Sequence, residues 1–429
     1  MLKIAFMCHL RSQSVILSLL LTVATSMGNI LVPTSSVFAA DWPQILGPNR
    51  TGVAVGETLL KAWPAEGPTQ VWSKPVGSGF AGVSVVGTTA VIFHRKASEE
   101  IVEAVRVTDG ETLWASAAPC KYRSGISSDS GPRCVPVIHE SNVITFGAAG
   151  HLRCLDFASG KELWARDVQT DFGAPEGYFG SGSTPIIYKE LVIVNVGSRK
   201  SAAVVAFDIN TGKTVWQTFD DTASYSAPII TTVNGKDVAI VVTRLNALLL
   251  DPASGKLLSE FPFGMRGPTV NGATPVMLGS RVLLSSSYRV GSVLANVGDK
   301  FSDIRNSGES LLATQYATPI VDGDVVFAVD GRQDLGDATL KCFDPLKEQI
   351  LWEKSGFDYG TLIRADGQYL FLTCGGELIR FDDSTLAYKE ISRHQVLNAT
   401  SQGYRLPAIS NGKLFVRDDG VLKCLQVGK

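Results

Sequence analysis

Phe207-Asp-Ile-Asn-Thr-Gly-Lys-Thr-Val-Trp216 decides the fold, because the same phrase recurs along the chain. It reads Val105-Arg-Val-Thr-Asp-Gly-Glu-Thr-Leu-Trp114 and Leu155-Asp-Phe-Ala-Ser-Gly-Lys-Glu-Leu-Trp164 upstream. Worn copies follow at Leu250-Asp-Pro-Ala-Ser-Gly-Lys-Leu-Leu-Ser259 and Phe343-Asp-Pro-Leu-Lys-Glu-Gln-Ile-Leu-Trp352, and Trp72 stands in Thr69-Gln-Val-Trp72 without the preceding half. Strand-like units repeating at roughly 40 to 50 residues indicate a propeller, since one small sheet cannot bury both its faces alone.

Each part of the phrase has a physical role. The apolar run before Asp is a strand, Asp with Ser/Thr-Gly-Lys makes a tight turn, and the second apolar stretch is the returning strand. Asp folds its carboxylate onto nearby backbone N–H groups, and Gly supplies the positive φ that the turn requires. Trp closes the hairpin with a broad apolar face and an indole N–H in need of a carbonyl. Trp72, Trp114, Trp164, Trp216 and Trp352 are therefore expected to be wedges between blades. Trp42, outside the repeat, is expected to matter less to stability than Trp164 or Trp216.

A second signal gives the blade number. Strand entries, most of them a small residue followed by Pro, fall near Phe80, Pro132, Ser183, Ser226, Ala273, Ala317, Thr361 and Leu406. The last unit stops one strand short at Val421-Leu-Lys-Cys-Leu425, and Thr69-Gln-Val-Trp72 is an outer strand lacking its blade. The expected fold is all-β: an eight-bladed propeller over residues 69–429, with four-stranded antiparallel blades and a ring closed by N- and C-terminal strands. A leader, residues 41–68, precedes the first assigned strand and could cover an edge or the channel floor.

Composition agrees. With 45% hydrophobic and 19% charged residues, 42 Gly and 19 Pro, the chain suits a large core and many short strands and turns. Residues 1–40 differ in kind: Lys3 and Arg11 precede the apolar stretch from Val15 to Ala24, no acid appears before Asp41, and Phe38-Ala-Ala40 resembles a cleavage site. This reads as a signal peptide, too short in its apolar run to span a bilayer, and it implies export to a periplasmic or extracellular space. Removing Lys3 and Arg11 takes the formal charge from −2 to −4. Without a basic run, nucleic acid is not an expected partner.

Motifs for chemistry are sparse. Cys154, Cys342 and Cys424 occupy one repeat position and read as buried small residues. Cys120 and Cys134 bracket one loop and could pair, a bridge worth about 3 kcal/mol, or could both be free. Gly77-Ser-Gly-Phe-Ala-Gly82 is followed by a strand instead of the helix that a dinucleotide site needs. His94, His139, His151 and His394 show no metal-ligand spacing, and no G-x-S-x-G elbow exists.

Ala206-Phe-Asp-Ile-Asn-Thr-Gly-Lys-Thr-Val-Trp216 resembles the pyrroloquinoline-quinone (PQQ) repeat, A-x-D-x-x-T-G-x-x-x-W. Asp41-Trp-Pro-Gln-Ile-Leu-Gly-Pro-Asn-Arg-Thr-Gly52, Asp171-Phe-Gly-Ala-Pro175 and Ala223-Ser-Tyr-Ser-Ala-Pro228 resemble segments of exported PQQ-like propellers familiar from Planctomycetes. The resemblance covers about residues 41–427 and implies the fold. For function it implies either a quinone-dependent alcohol dehydrogenase or a noncatalytic propeller such as the outer-membrane assembly lipoprotein BamB. The dehydrogenases carry adjacent cysteines, a calcium held by Glu, Asn and Asp, and long walls around the quinone. This chain has no adjacent cysteines and short blades, so neither PQQ with calcium nor another cofactor is expected. It also lacks the lipidated cysteine of the assembly lipoprotein.

The sequence therefore favours a noncatalytic binding or scaffolding propeller with a protein or carbohydrate partner, ahead of a quinoprotein dehydrogenase and a carbohydrate-binding module. Loops entering the inner strands line the channel mouth. The candidate rim is Arg133, Tyr178, Tyr225, Asn271, Tyr316, Tyr359 and Tyr404, with Arg332 in a blade loop; Tyr and Arg suit recognition. The competing reading of Tyr225, Tyr316 and Tyr404 is packing against the next blade.

Overall fold

The computed structural model describes residues 41–127, 129–267, 269–398 and 405–429. The signal-peptide reading of residues 1–40 and the rim candidate Tyr404 lie outside them. Eight sheets form the expected ring of four-stranded antiparallel blades. Blades 1 to 7 occupy residues 83–119, 137–167, 186–218, 229–262, 276–307, 320–357 and 360–395. Blade 8 takes its three inner strands from residues 408–426 and its outer strand from Thr69–Pro75, which runs antiparallel to Val421–Gln426 with Thr69 opposite Gln426 and Pro75 opposite Val421. Head and tail of the repeat region thus share one sheet.

Each copy of the repeated phrase is the outer hairpin of its blade. Asp156 caps its turn by accepting from Ser159 N at 2.8 Å, and Asp208 does the same for Thr211 N at 2.8 Å. Trp lies near the start of the outer strand, not at its end, and the pairing register shifts just before it, as between Glu162 and Trp164. This bulge explains the apolar doublet. Leu and Trp side by side cannot both face inward on a flat strand, so the extra residue turns Leu113, Leu163 and Val215 to solvent while the indole turns toward the next blade. The residue paired with the indole is always small: Ala104 for Trp114, Cys154 for Trp164, Ala206 for Trp216, Cys342 for Trp352 and Cys424 for Trp72. That is why three cysteines recur at one position, and burial pushes each of their thiols up to about 12.

All five indoles bond across a blade boundary. Trp72 Nε1 donates to Val107 O at 2.8 Å, Trp114 to Phe157 O at 2.9 Å, Trp164 to Ile209 O at 2.7 Å, Trp216 to Pro252 O at 3.2 Å and Trp352 to Ser384 O at 2.8 Å. Four of the rings lie on the turn glycine of that neighbour. A Cβ on Gly255 (φ +72°) would stand 2.4 Å from Trp216, and one on Gly160 would stand 2.3 Å from Trp114. Where Trp is missing in blade 4, Phe261 packs edge-on against Phe301 of blade 5 at 4.9 Å.

The leader covers the channel floor. Trp42 pairs with Val85 of blade 1, Pro43 O accepts from Ile138 N of blade 2 at 2.8 Å, and Gly52 O accepts from Arg364 N of blade 7 at 2.9 Å. Val53–Ala54 then adds a parallel strand to the inner edge of blade 7, and Glu57 accepts from Asn411 N and Gly412 N of blade 8 at 2.7 and 2.8 Å. Arg50 is the central pin: Nη1 donates to Pro228 O at 2.9 Å, and Nη2 bonds Pro185 O, so one side chain ties the starts of blades 3 and 4. Trp63 fills the seam between blades 7 and 8, donating to Val427 O at 3.2 Å with Arg380 5.3 Å above its ring. The expectation for Trp42 needs correcting: it is 2% exposed, more buried than Trp216 at 8%. Its environment comes from the leader's own contacts, which no repeat announces.

Cys120 and Cys134 are both free and buried in separate apolar clusters, so no bridge closes the loop between them. Cys134 faces the core between blades 2 and 3, whereas Cys120 sits under Tyr122 and Ala148.

Candidate functional site

In an antiparallel blade, the second-to-third-strand loops and the blade-to-blade loops emerge on one face, opposite the leader. At the centre of this mouth a cup of about 210 Å³ is lined by Phe80, Arg133, Phe179, Tyr225, Tyr288 and Tyr316, with Ile45 of the leader contributing from below. A wider groove of about 750 Å³ adjoins it over blades 2 to 4 and shares Tyr225 and Val270 with it.

The rim candidates divide into three groups. Arg133 lies in the cup, its guanidinium 4.7 Å over Phe80 and 5.5 Å over Phe179, an arrangement that holds a cation on aromatic faces. Tyr225 bridges cup and groove; its ring meets Phe179 edge-on at 5.9 Å, its hydroxyl accepts from Phe179 N at 2.8 Å, and burial pushes that hydroxyl up to about 12. Tyr316 lines the cup half-buried, with its hydroxyl 3.3 Å from Cys374 Sγ. Tyr178 is 46% exposed on the groove, with Arg244 5.7 Å over its ring.

Arg332, expected in a blade loop, is instead the last residue of the strand Val325–Arg332, 4.3 Å over Tyr288 and paired with Asp334. Asn271 and Tyr359 turn inward instead of facing a ligand. Asn271 Nδ2 donates to Thr243 O at 3.0 Å and Arg244 O at 3.2 Å. Tyr359 is fully buried, and its single hydroxyl accepts from Gln315 N, Tyr316 N and Ala317 N at 3.0, 3.1 and 3.0 Å. An unpaired loop carbonyl or N–H is costly inside a protein, so Asn271 as donor and Tyr359 as acceptor hold the loops that the exposed residues ride on.

Arginines occupy both ends of the channel, Arg50 on the leader side and the others toward the mouth. Arg50 and Arg417 are buried with carbonyl partners, Arg417 donating to Gly77 O at 2.7 Å and Phe93 O at 3.1 Å, and burial pulls both guanidinium groups down to about 9. Arg405 donates to Gly79 O at 2.8 Å and reaches Asp129 at 3.2 Å. Four further arginines, Arg123, Arg199, Arg244 and Arg266, line the groove, where Glu176 is the one carboxylate among the described lining residues. The sequence reading missed these four, which come from four separate loops. A signal was present: Arg199, Arg244 and Arg289 fall in the loop between second and third strands of blades 3, 4 and 5, and Arg332 ends the second strand of blade 6 just before that loop.

Neither cavity presents a metal site. The described lining of the cup contains no Asp or Glu, and no group of three His, Cys, Asp or Glu able to hold a metal ion occurs among the described residues. A calcium ion takes six to eight oxygen ligands, usually several from carboxylates, so the cup does not fit a quinone held with calcium. No helix among the described residues is long and apolar enough to cross a membrane.

The chain is similar to proteins of different activities. It is 24% identical over 227 residues to the tetrathionate hydrolase of Acidithiobacillus ferrooxidans, a match spanning 49% of this chain and only 44% of that enzyme. It is 21% identical over 345 residues to the outer membrane protein assembly factor BamB of Moranella endobia, spanning 75% of this chain and 82% of that protein. The solved structure of a europium-containing methanol dehydrogenase superposes with a TM-score of 0.67 at 12% identity, covering 89% of this chain and 90% of that one, which speaks to fold alone. The family model described as outer membrane protein assembly factor BamB, built on PQQ-like repeats, matches residues 98–354, well over half of the sequence, and the chain belongs to that family.

Proposed function

We propose that this protein is an exported, noncatalytic propeller that holds a protein partner at its mouth. The observation that carries the reading is the pairing of a floor crossed by the leader with an open, arginine- and tyrosine-lined face. Arg50 and the leader span the floor side of the channel, bonding to blades 1 to 4 and to blade 7. Exposed Tyr178 and the Arg-on-aromatic pairs are the residue types that anchor protein interfaces. Membership of the BamB family supports the same reading, since the name of that family describes an assembly factor.

A photocrosslinking amino acid placed at Tyr178 or Ile126 on the mouth should trap a discrete protein in cells. The same group at Leu386, on the opposite face and 89% exposed, should not. Equal trapping from both faces would refute the assignment of the mouth. Export is tested by sequencing the N-terminus of the secreted protein, expected at or next to Asp41.

The quinoprotein reading makes a separate demand. Calorimetric titration with PQQ and calcium should be flat, and dye-linked alcohol oxidation absent; saturable heat with turnover would replace the binding function with an enzymatic one. Carbohydrate binding would show as retention on a polysaccharide column that Tyr316→Ala weakens. Tyr316 lines the cup half-buried and meets Tyr359 edge-on at 4.8 Å.

A further inference from the structure

We propose that the groove over blades 2 to 4 takes an acidic, extended segment of another polypeptide, and this rests on reading the mouth as a protein-binding face. Arg123 comes from the loop between blades 1 and 2, Arg199 and Arg244 from inner loops of blades 3 and 4, and Arg266 from the loop between blades 4 and 5. The ring brings them around one groove against a single carboxylate among the described lining residues, Glu176.

Of the four, only Arg244 forms a side-chain hydrogen bond among the described residues. It donates to Thr269 Oγ1 at 2.9 Å and also bonds Gly267 O. Asp221, which acts on Arg244 electrostatically, is buried and already accepts from Thr243 Oγ1 at 2.7 Å, Leu245 N at 2.8 Å and Asn246 Nδ2 at 3.1 Å. Arg123, Arg199 and Arg266 are exposed and form no ion pair among the described residues. Elsewhere on the surface Arg106, Arg305 and Arg393 do find acids. Three unpaired guanidinium groups beside a fourth therefore make a local positive field that attracts carboxylates and speeds their encounter.

Charge alone would suit any polyanion. The same groove also exposes Ile126 at 58% and Tyr178 at 46%, apolar surface that a sulfated sugar or a nucleic-acid backbone does not cover well. Carboxylates alternating with apolar side chains match both features at once, because successive side chains of an extended segment point to opposite sides. The groove lies on the loop face, away from sheet edges, so recognition falls to side chains instead of an added strand.

The test is fluorescence anisotropy with the full mature chain and a labelled short peptide alternating Glu and Asp with Leu and Phe. Saturable binding is expected that weakens about tenfold between low and moderate salt, and about 30-fold or more in Arg199→Glu/Arg266→Glu, equivalent to about 2 kcal/mol. Arg305→Glu, on the outer strand of blade 5, should leave it unchanged. Both variants should keep the wild-type unfolding midpoint, which excludes misfolding as the cause. The inference is overturned if the Gln/Asn version of the peptide binds equally, if the double variant loses nothing, or if replacing Leu and Phe by Ser has no effect while a sulfated oligosaccharide competes fully. Should the peptide fail while crosslinking from Tyr178 still traps a protein, this inference falls and the scaffold reading stands. Turnover with PQQ and calcium would remove the reading beneath both.

Discussion

Replacing Gly255 by Ala probes the inter-blade wedge more sharply than removing the indole. At φ +72° an L-residue costs about 1 to 2 kcal/mol in backbone strain. The added Cβ would also stand 2.4 Å from Trp216 Cε3, where carbon atoms in contact normally keep roughly 3.5 to 4.0 Å. The ring must retreat by more than an ångström, giving up its packing in the slot and the 3.2 Å bond from Nε1 to Pro252 O, a further loss of about 2 kcal/mol. Gly255→Ala should thus destabilise the wild type by about 3 to 4 kcal/mol. Trp216→Ala alone should cost about 3 to 5 kcal/mol, as for other buried aromatics. In the Trp216→Ala background the same glycine substitution should cost only the backbone share, about 1 to 2 kcal/mol, leaving a coupling of about 2 kcal/mol. Urea unfolding followed by far-UV circular dichroism, with equal m-values across the four proteins, measures the cycle. Additive losses within about 0.5 kcal/mol would refute the reasoning, because an indole that is not wedged on the turn cannot feel the methyl group.

Trp42→Ala should cost about as much as Trp216→Ala, about 3 to 5 kcal/mol by the same unfolding assay, since it is 2% exposed and seated on Gly47. Arg50→Ala should release the leader, read as new proteolytic cleavage between residues 41 and 68 in an otherwise folded ring; unchanged resistance would count against the pin. Native protein should react with no thiol reagent, and unfolded, unreduced protein should titrate every one of Cys120, Cys134, Cys154, Cys342, Cys374 and Cys424. His94 is buried with Nδ1 accepting from Gly77 N at 2.8 Å, and burial lowers its pKa in the folded state. Because the unfolded chain then binds the proton more readily, the contribution is complete above about pH 6.5 and is lost as pH falls below it. His94→Gln should flatten the stability profile across that window, and an unchanged slope would exclude His94 as its source.

How far the sequence can be read depends on which contacts are copied along it. The blade boundaries were legible because the turn Asp, the turn Gly and the indole recur at one spacing and each makes the same local bond, as Asp156, Gly160 and Trp164 do. The bulge that turns Leu163 outward was not legible, because an apolar doublet fits a flat buried strand equally well. The leader carries no repeat, so Trp42 and Arg50 gave no sign of crossing the channel from blade 1 to blade 4. At the mouth, placement ahead of an inner strand selected Arg133 and Tyr178, yet the same rule also selected Asn271 and Tyr359, which face inward, the first donating to loop carbonyls and the second accepting from loop N–H groups. Placement ahead of a strand fixes the loop but not the rotamer. The groove arginines lie far apart in sequence and become neighbours only through radial symmetry.

Pairing Thr69–Pro75 with Val421–Gln426 joins segments more than 340 residues apart, and this governs the order in which the molecule is made. The outer edge of the eighth sheet has no mate until the far end of the polypeptide has been synthesised, so seven sheets can mature while two exposed borders wait. A ribosome stalling before Val421 would release an open arc whose free borders invite pairing with a second arc. Cutting between two other blades and splicing residue 429 to residue 41 would move that vulnerable joint elsewhere, and such a permutant should assemble with the same architecture but a different last step.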